Sequence, residues 1–167
     1  DALISGEWGL SKVPTHVPFW NEFVFPTFEA FATFSQQVEA DLQQGSLERY
    51  YMGVYCLWLK QKNGQPHFPM SFYSHRVPSD SGYYYGYGLY FHVPKRDTEG
   101  LAALQAYYSR LQEFTHSLDG RLYNYSWHDW SRKTYREVYG QDWESLVNYK
   151  RLVDPEMILN PDALPYT

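Results

Sequence analysis

Cysteine is almost absent from this sequence, which has Cys56 alone among 167 residues. A single cysteine excludes an intramolecular disulfide and any zinc cluster built from cysteines. Cys56 lies in the apolar run 54–59, where we expect it to pack as a small hydrophobic side chain. This composition fits a reducing compartment, and we therefore expect a cytoplasmic protein.

Membrane and export signals are also lacking. No run of apolar residues is long enough for a transmembrane helix, so we expect no membrane partner. The first ten residues, DALISGEWGL, have neither a basic segment nor an apolar core and do not resemble a signal peptide. They look like a cut made inside a longer protein.

The motifs that bind nucleotides and metals are missing as well. The sequence has no G-x-G-x-x-G and no P-loop, so it offers no usual backbone cradle for a pyrophosphate. Its six histidines show no H-x-x-x-H or H-E-x-x-H spacing, and we expect no metal site. A reactive cofactor would have to be bound mainly by another domain.

Basic residues are too few and too scattered for a nucleic-acid partner. The chain has 14 Lys and Arg against 19 Asp and Glu, which gives a formal net charge of −5. Aromatic residues are instead abundant, with 17 Tyr, 10 Phe and 6 Trp. Tyr and Trp combine an apolar body with a polar tip, so they suit the walls of pockets as well as cores.

Hydrophobic periodicity predicts an alternation of strands and helices. The run 19–25 lies between two prolines and places its odd-numbered residues on one face, which favours a strand. Thr27 is the expected N-cap of the helix that follows, and Gly45 ends that helix. The further predicted elements are strands 50–60, 68–76 and 83–93, a helix capped by Asp97 or Thr98 and ended at 119–120, strand 122–127, and short helices 131–138 and 142–153.

The order of these elements predicts the fold class. Strand, helix, two or three strands, helix and strand is the split βαβ plan of ferredoxin-like α+β domains. That plan has an antiparallel sheet with both helices on one face. We expect one domain over 1–167, with a connecting segment 1–18, a ferredoxin-like part 19–130 and added C-terminal helices and tail 131–167. Glycines at 82, 86 and 88 in the strand 83–93 indicate a bulge or a close approach of another group.

The segment 121–161 carries the most specific pattern in the chain. Residues 123–128, YNYSWH, place six stacking or hydrogen-bonding side chains at the end of a strand. If side chains alternate there, one face is aromatic and the other is polar, as a pocket for a small planar ligand requires. The spacing alone favours the alternative of a strand whose polar side chains satisfy the nearby backbone. Further along come Tyr139-Gly140, Trp143, Leu146, Lys150, Asp154-Pro155, Ile158-Leu159 and Pro161.

This series resembles the C-terminal end of vanillyl-alcohol-oxidase-type FAD-linked oxidoreductases, with cytokinin dehydrogenase-like proteins as the nearest match. Residues 18–24, PFWNEFV, are similar to a strand of those proteins that precedes a helix. Residues 122–125, LYNY, loosely resemble a Y-x-N-Y motif of the berberine-bridge-like branch. Ser126 and Trp127 differ from the apolar residue and the proline of the cytokinin dehydrogenase pattern.

The resemblance implies a role for the chain and for particular residues. Residues 19–130 would form the substrate (cap) domain, and 131–167 would return toward an N-terminal FAD-binding domain of the same protein. Tyr125 would act as acid or base, and Asn124 and Asn160 would contact the FAD. The implied substrate contacts are Trp20, Asn21, Ser126 and His128.

The expected function is therefore that of the substrate-binding part of an FAD-dependent oxidoreductase. It would oxidise a C–N or C–O bond of a small organic substrate by hydride transfer to the flavin, and the isolated fragment would be inactive. The alternatives are a stand-alone ferredoxin-like module that binds a small molecule, and an interaction domain whose sheet pairs with a partner chain.

Overall fold

The computed structural model describes residues 15–62, 65–66, 79, 81–123 and 130–156. The chain divides into two compact units, residues 1–128 and 129–167, which are described separately. The first unit contains β1 (His16–Phe25), α1 (Phe28–Gln44), a 3₁₀ turn (Glu48–Tyr50), β2 (Tyr51–Lys62), β3 (Gln65–Pro66), β4 (Tyr83–Pro94), α2 (Thr98–Ser117) and β5 (Arg121–Tyr123). The second unit contains α3 (Arg132–Tyr139) and α4 (Gln141–Val153).

The first unit is built on a five-stranded sheet with the order β3-β2-β4-β1-β5. Every pairing between neighbours is antiparallel. Apart from the two-residue strand β3, the order is the one that a split βαβ plan produces, and the α+β class expected from the sequence is confirmed.

Both helices of the first unit pack on the same face of this sheet. Odd-numbered residues of β1 and β4 point to that face because side chains alternate along a strand. Phe34 of α1 lies 4.8 Å from Phe23 and 4.9 Å from Phe25 between ring centroids. Tyr108 of α2 stacks on Phe19 at 6.0 Å and donates a hydrogen bond to the Leu89 carbonyl. The odd-numbered face predicted for 19–25, together with the odd-numbered residues of β4 that pair with it, therefore belongs to the core.

The helix starts agree with the capping residues expected from the sequence. Thr27 Oγ1 accepts a 3.1 Å hydrogen bond from the backbone N–H of Ala30, and the Asp97 carboxylate accepts one of 2.8 Å from Gly100. Each bond satisfies a backbone donor that the first turn of a helix leaves without an intrahelical partner.

Some boundaries differ from the prediction. Strand β1 begins at His16, so residues 16–18 belong to the sheet and not to a connecting segment. The 3₁₀ turn Glu48–Tyr50 precedes β2, which moves the start of that strand to Tyr51. The strand predicted at 68–76 lies outside the described residues, as does most of the strand predicted at 122–127.

The second unit is a pair of helices joined at Gly140. Its φ of 55° and ψ of −124° lie where a side chain is strongly disfavoured, so a glycine suits the joint between α3 and α4. Tyr135 stacks on Trp143 at 4.5 Å, and Trp130 packs edge-on against Tyr135 at 5.3 Å. At the end of α4, Lys150 pairs with the buried carboxylate of Asp154.

None of the helices among the described residues combines the length and apolar character needed to cross a membrane.

Candidate functional site on the helix-free face

The face of the sheet opposite α1 and α2 carries a carboxylate among aromatic rings. Among the described residues of the first unit no helix lies on this face, and we call it the helix-free face. Even-numbered residues of β1 and β4 point to this face, together with the odd-numbered residues of β2 from Gly53 onward. We call the group Trp20, Glu22, Tyr55 and Tyr90 the Glu22 cluster. Its members come from the three central strands.

Glu22 and Tyr55 meet across the backbone of Gly88. Gly88 of β4 pairs with Glu22 of β1 on one side and with Tyr55 of β2 on the other, so the three residues form one row. The Tyr55 ring lies in the space that a Cβ at position 88 would occupy. From there its hydroxyl donates a 2.8 Å hydrogen bond to Glu22 Oε2. The glycine thus allows a side chain of β2 to reach a side chain two strands away.

A second glycine leaves room for the other carboxylate oxygen. Gly86 lies two residues before Gly88 on β4, and a Cβ placed there would be 3.0 Å from Glu22 Oε1 and 3.3 Å from Leu57 Cβ. The glycines of this strand predicted that another group approaches it closely. This close approach is present at both Gly86 and Gly88. The one bulge seen in the described pairing lies elsewhere, between Tyr51 and Gly53 of β2.

Tyr90 and Trp20 extend the cluster from Tyr55 by ring contacts. The Tyr90 ring lies 4.8 Å from Trp20 and 5.5 Å from Tyr55 between ring centroids. Burial is the main reason that the pKa of Tyr90 is raised, and the charge and hydrogen bonding of Tyr55 and the charge of Glu22 raise it further, while a hydrogen bond with Trp20 lowers it.

The Glu22 cluster thus combines the hydrogen bond that Tyr55 donates to the Glu22 carboxylate with ring contacts that run from Tyr55 through Tyr90 to Trp20.

Burial differs between the two ends of the Glu22 cluster. Glu22 is only 7% exposed, whereas Trp20 is 42% exposed. A buried carboxylate is costly unless hydrogen bonds or opposite charges compensate it. A group of this kind can accept hydrogen bonds, hold a cation or take up a proton, and these are the functions of a ligand-binding or catalytic acid.

The structure separates the site residues expected from the sequence. Trp20 lies on the helix-free face. Asn21 is fully buried on the helix side, opposite Leu89, because adjacent residues of a strand point to opposite faces. The two therefore do not line one pocket on the same side of the sheet. The other expected site residues, Asn124, Tyr125, Ser126, His128 and Asn160, lie outside the described residues.

Sequence reasoning missed Glu22, Tyr55 and Tyr90. Alternation along β1 already places Glu22 on the same face as Trp20, and this acid in an apolar strand was the available signal. Tyr55 and Tyr90 gave no such signal, because their proximity to Glu22 depends on the pairing of strands distant in sequence.

Cys56 is exposed, contrary to the packed position expected for it. It lies on the helix side of β2, beyond the strands that α1 and α2 cover, next to exposed Val54 and Trp58. Partial burial still raises the pKa of its thiol.

Several residues of the C-terminal motif make contacts within the second unit. Gly140 joins α3 to α4, Trp143 is buried against Tyr135, and Lys150 pairs with Asp154 at the end of α4. The packing and joining of α3 and α4 therefore account for these three residues.

A scan against protein-family models and a search of curated proteins both gave no match. Within the part of the chain that the structure describes, no group of three or more His, Cys, Asp or Glu side chains is placed to hold a metal ion.

Proposed function

We propose that this chain is the substrate-binding part of an FAD-dependent oxidoreductase, and that the helix-free face of its sheet covers the reacting ring of the flavin. The observation that carries the proposal is the Glu22 cluster, a largely buried carboxylate with three aromatic rings on the sheet face opposite α1 and α2. The resemblance of 121–161 to the C-terminal end of FAD-linked oxidoreductases supports the choice of cofactor.

The chemistry of this face fits a small organic ligand. The rings of Tyr55, Tyr90 and Trp20 follow one another beside the Glu22 carboxylate, and Trp20 is partly exposed at one end. Apolar and aromatic walls with a few placed polar groups are what sites for small organic molecules have in common. The FAD itself would be held mainly by another domain, because the sequence has no pyrophosphate-binding motif.

FAD, when bound, supplies the acceptor for a hydride from the substrate. The residues of this chain would bind and orient the substrate and exclude water from it. Tyr125 remains our proposed acid or base, Ser126 and His128 our proposed substrate contacts, and Asn124 and Asn160 our proposed cofactor contacts. Trp20 joins them as a wall of the pocket.

The test of this proposal is the absorption spectrum of the complete gene product after purification. A flavin spectrum, with FAD released on denaturation, is the expected result. A protein that stays colourless when purified and when incubated with FAD would contradict the proposal. It would favour the stand-alone module, which needs the same ligand-binding face but no flavin.

A further inference from the structure

A row of exposed apolar side chains lies on the helix side of β2. Val54, Cys56 and Trp58 point to this side because side chains alternate along a strand, and all three are exposed. The ring of Phe28, in the first turn of α1, is exposed as well. We call these four side chains the β2 patch.

The members of the β2 patch are neighbours and not scattered surface residues. The Phe28 ring packs edge-on against Tyr85 of β4 at 5.6 Å, and Tyr85 pairs with Trp58 of β2. Single exposed apolar side chains are common, whereas a contiguous group of them marks a surface that another molecule covers. Tryptophan is also enriched among the residues that contribute most to binding between proteins.

Charges of opposite sign lie at the two ends of the β2 patch. Lys60 is the next residue after Trp58 on this side of β2, and it is exposed. Glu39 is exposed on α1, and it follows Phe28 by about three turns, or roughly 16 Å along the helix axis. It therefore lies on the same side of α1 as Phe28, away from the end at which Lys60 lies.

The surroundings of Tyr87 place Glu39 beside the patch. Burial is the main reason that the pKa of Tyr87 is raised, and the coulombic effects of Cys56 and Glu39 raise it further. Both groups are therefore close to this side chain. Phe34 of α1 packs on the Tyr87 ring at 5.5 Å, while Phe28 contacts Tyr85, so α1 runs along the patch from the Lys60 end toward the other end.

This distribution of charge matches a second copy of the same chain. In a two-fold dimer each copy contributes the same surface, and residues i and j meet twice, once as i with j and once as j with i. A two-fold axis across the line from Lys60 to Glu39 brings Lys60 of each copy to Glu39 of the other. The apolar side chains between them then face each other near the axis, with Cys56 among them.

We propose that the β2 patch is the interface of a two-fold dimer of this chain, with its apolar side chains in contact across the axis and with Lys60 of each copy paired with Glu39 of the other. The inference goes beyond the proposed function and does not depend on a flavin. The helix-free face lies on the opposite side of the sheet, so it stays available in the dimer.

The first test is the mass of the complete gene product, measured by sedimentation equilibrium at micromolar concentration with a reducing agent. We expect a dimer. Trp58→Lys, at a position that is 71% exposed, should raise the dissociation constant about 30-fold or more, as the loss of a central tryptophan does in other interfaces. Tyr149→Lys, exposed on α4, is the control and should change nothing. A monomer, or a dimer that Trp58→Lys does not weaken, would overturn the proposal.

An exchange of charges tests the arrangement of the two copies. Lys60→Glu and Glu39→Lys should each weaken the dimer about tenfold, because each brings like charges together at both ends of the interface. The double variant restores opposite charges and should bind nearly as tightly as the parent protein. A double variant weaker than either single variant would overturn the pairing of Lys60 with Glu39.

Cross-linking tests the position of the axis. A short bis-maleimide should join two copies through their Cys56 thiols at slightly alkaline pH, since partial burial raises the pKa of this thiol. Mass spectrometry of the digested product identifies the linked peptides, and Cys56→Ser should abolish the link. A dimeric protein that forms no Cys56–Cys56 link has its interface elsewhere, and this result would overturn the proposal.

Discussion

The Tyr55 hydroxyl donates a hydrogen bond to the Glu22 carboxylate over the backbone of Gly88, which separates them in the sheet. Tyr55→Phe removes the donor and leaves the carboxylate buried with one bond fewer. We expect it to lower the free energy of unfolding by about 1.5–3 kcal/mol, as for other bonds to charged groups. Urea unfolding measures the loss.

The charge of Glu22 can be separated from its shape in the same experiment. In a Glu22→Gln background, Tyr55→Phe should cost only about 0.5–1.5 kcal/mol, because the bond is then between neutral groups. An equal cost in both backgrounds would contradict a charged carboxylate as the acceptor.

Gly88→Ala tests whether the glycine is what lets Tyr55 cross the sheet. A Cβ at this position overlaps the Tyr55 ring, so the substitution should cost about 1–3 kcal/mol of stability. In a Tyr55→Ala background the ring is gone, and the same change should be neutral or stabilising, since alanine suits a strand better than glycine. A similar cost in both backgrounds would show that the strain arises elsewhere. Chemical denaturation of the four proteins measures both costs.

Buried tyrosines predict a loss of stability in alkali. Burial raises the pKa of Tyr87 from 10.0 to about 12. The folded protein therefore holds this proton more tightly than the unfolded chain, so the resulting stability is complete below pH 10 and is lost as the pH rises through about 12. In Tyr87→Phe, the free energy of unfolding should fall less steeply between pH 10 and about 12. The exposed Tyr149→Phe is the control and should leave the slope unchanged.

Two Lys–acid pairs with the same helical spacing should differ in strength. Lys150 and Asp154 are 12% and 6% exposed, whereas Lys133 and Glu137 are 85% and 64% exposed. Lys150→Met leaves a buried carboxylate without this partner and should cost about 3–5 kcal/mol. Lys133→Met should cost no more than about 1 kcal/mol. Urea unfolding of both variants measures the two losses of stability. Equal losses would contradict the predicted difference between the buried and the exposed pair.

Trp143 should matter for the stability of the second unit. It is buried in a stack with Tyr135, so Trp143→Ala should destabilise this unit by about 3–5 kcal/mol. Tyr149→Ala, on the exposed side of the same helix, should have little effect. Thermal unfolding followed by circular dichroism measures both. Equal losses from the two substitutions would contradict a role for Trp143 in the packing of α3 against α4.

The fold was predictable from the sequence because its signals are local. Alternation in 19–25 and 83–93 identified the core faces, and Thr27 and Asp97 marked the helix starts. The Glu22 cluster was not predicted, because it forms only when β1, β4 and β2 pair in one register and bring residues 22, 55 and 90 together. The resemblance pointed to Trp20, which lies in this cluster, and also to Asn21, which lies on the opposite face because adjacent residues of a strand alternate between faces.

The fluorescence lifetime of the bound flavin tests the central claim without a known substrate. Tryptophan close to an excited flavin quenches its emission by electron transfer. Trp20 lies on the helix-free face, whereas Trp58 is 71% exposed on the helix side of β2 and serves as its control. If the helix-free face covers the flavin, Trp20→Leu should lengthen the lifetime and Trp58→Leu should leave it unchanged. A lifetime that responds to Trp58→Leu alone, or to neither change, would contradict the account.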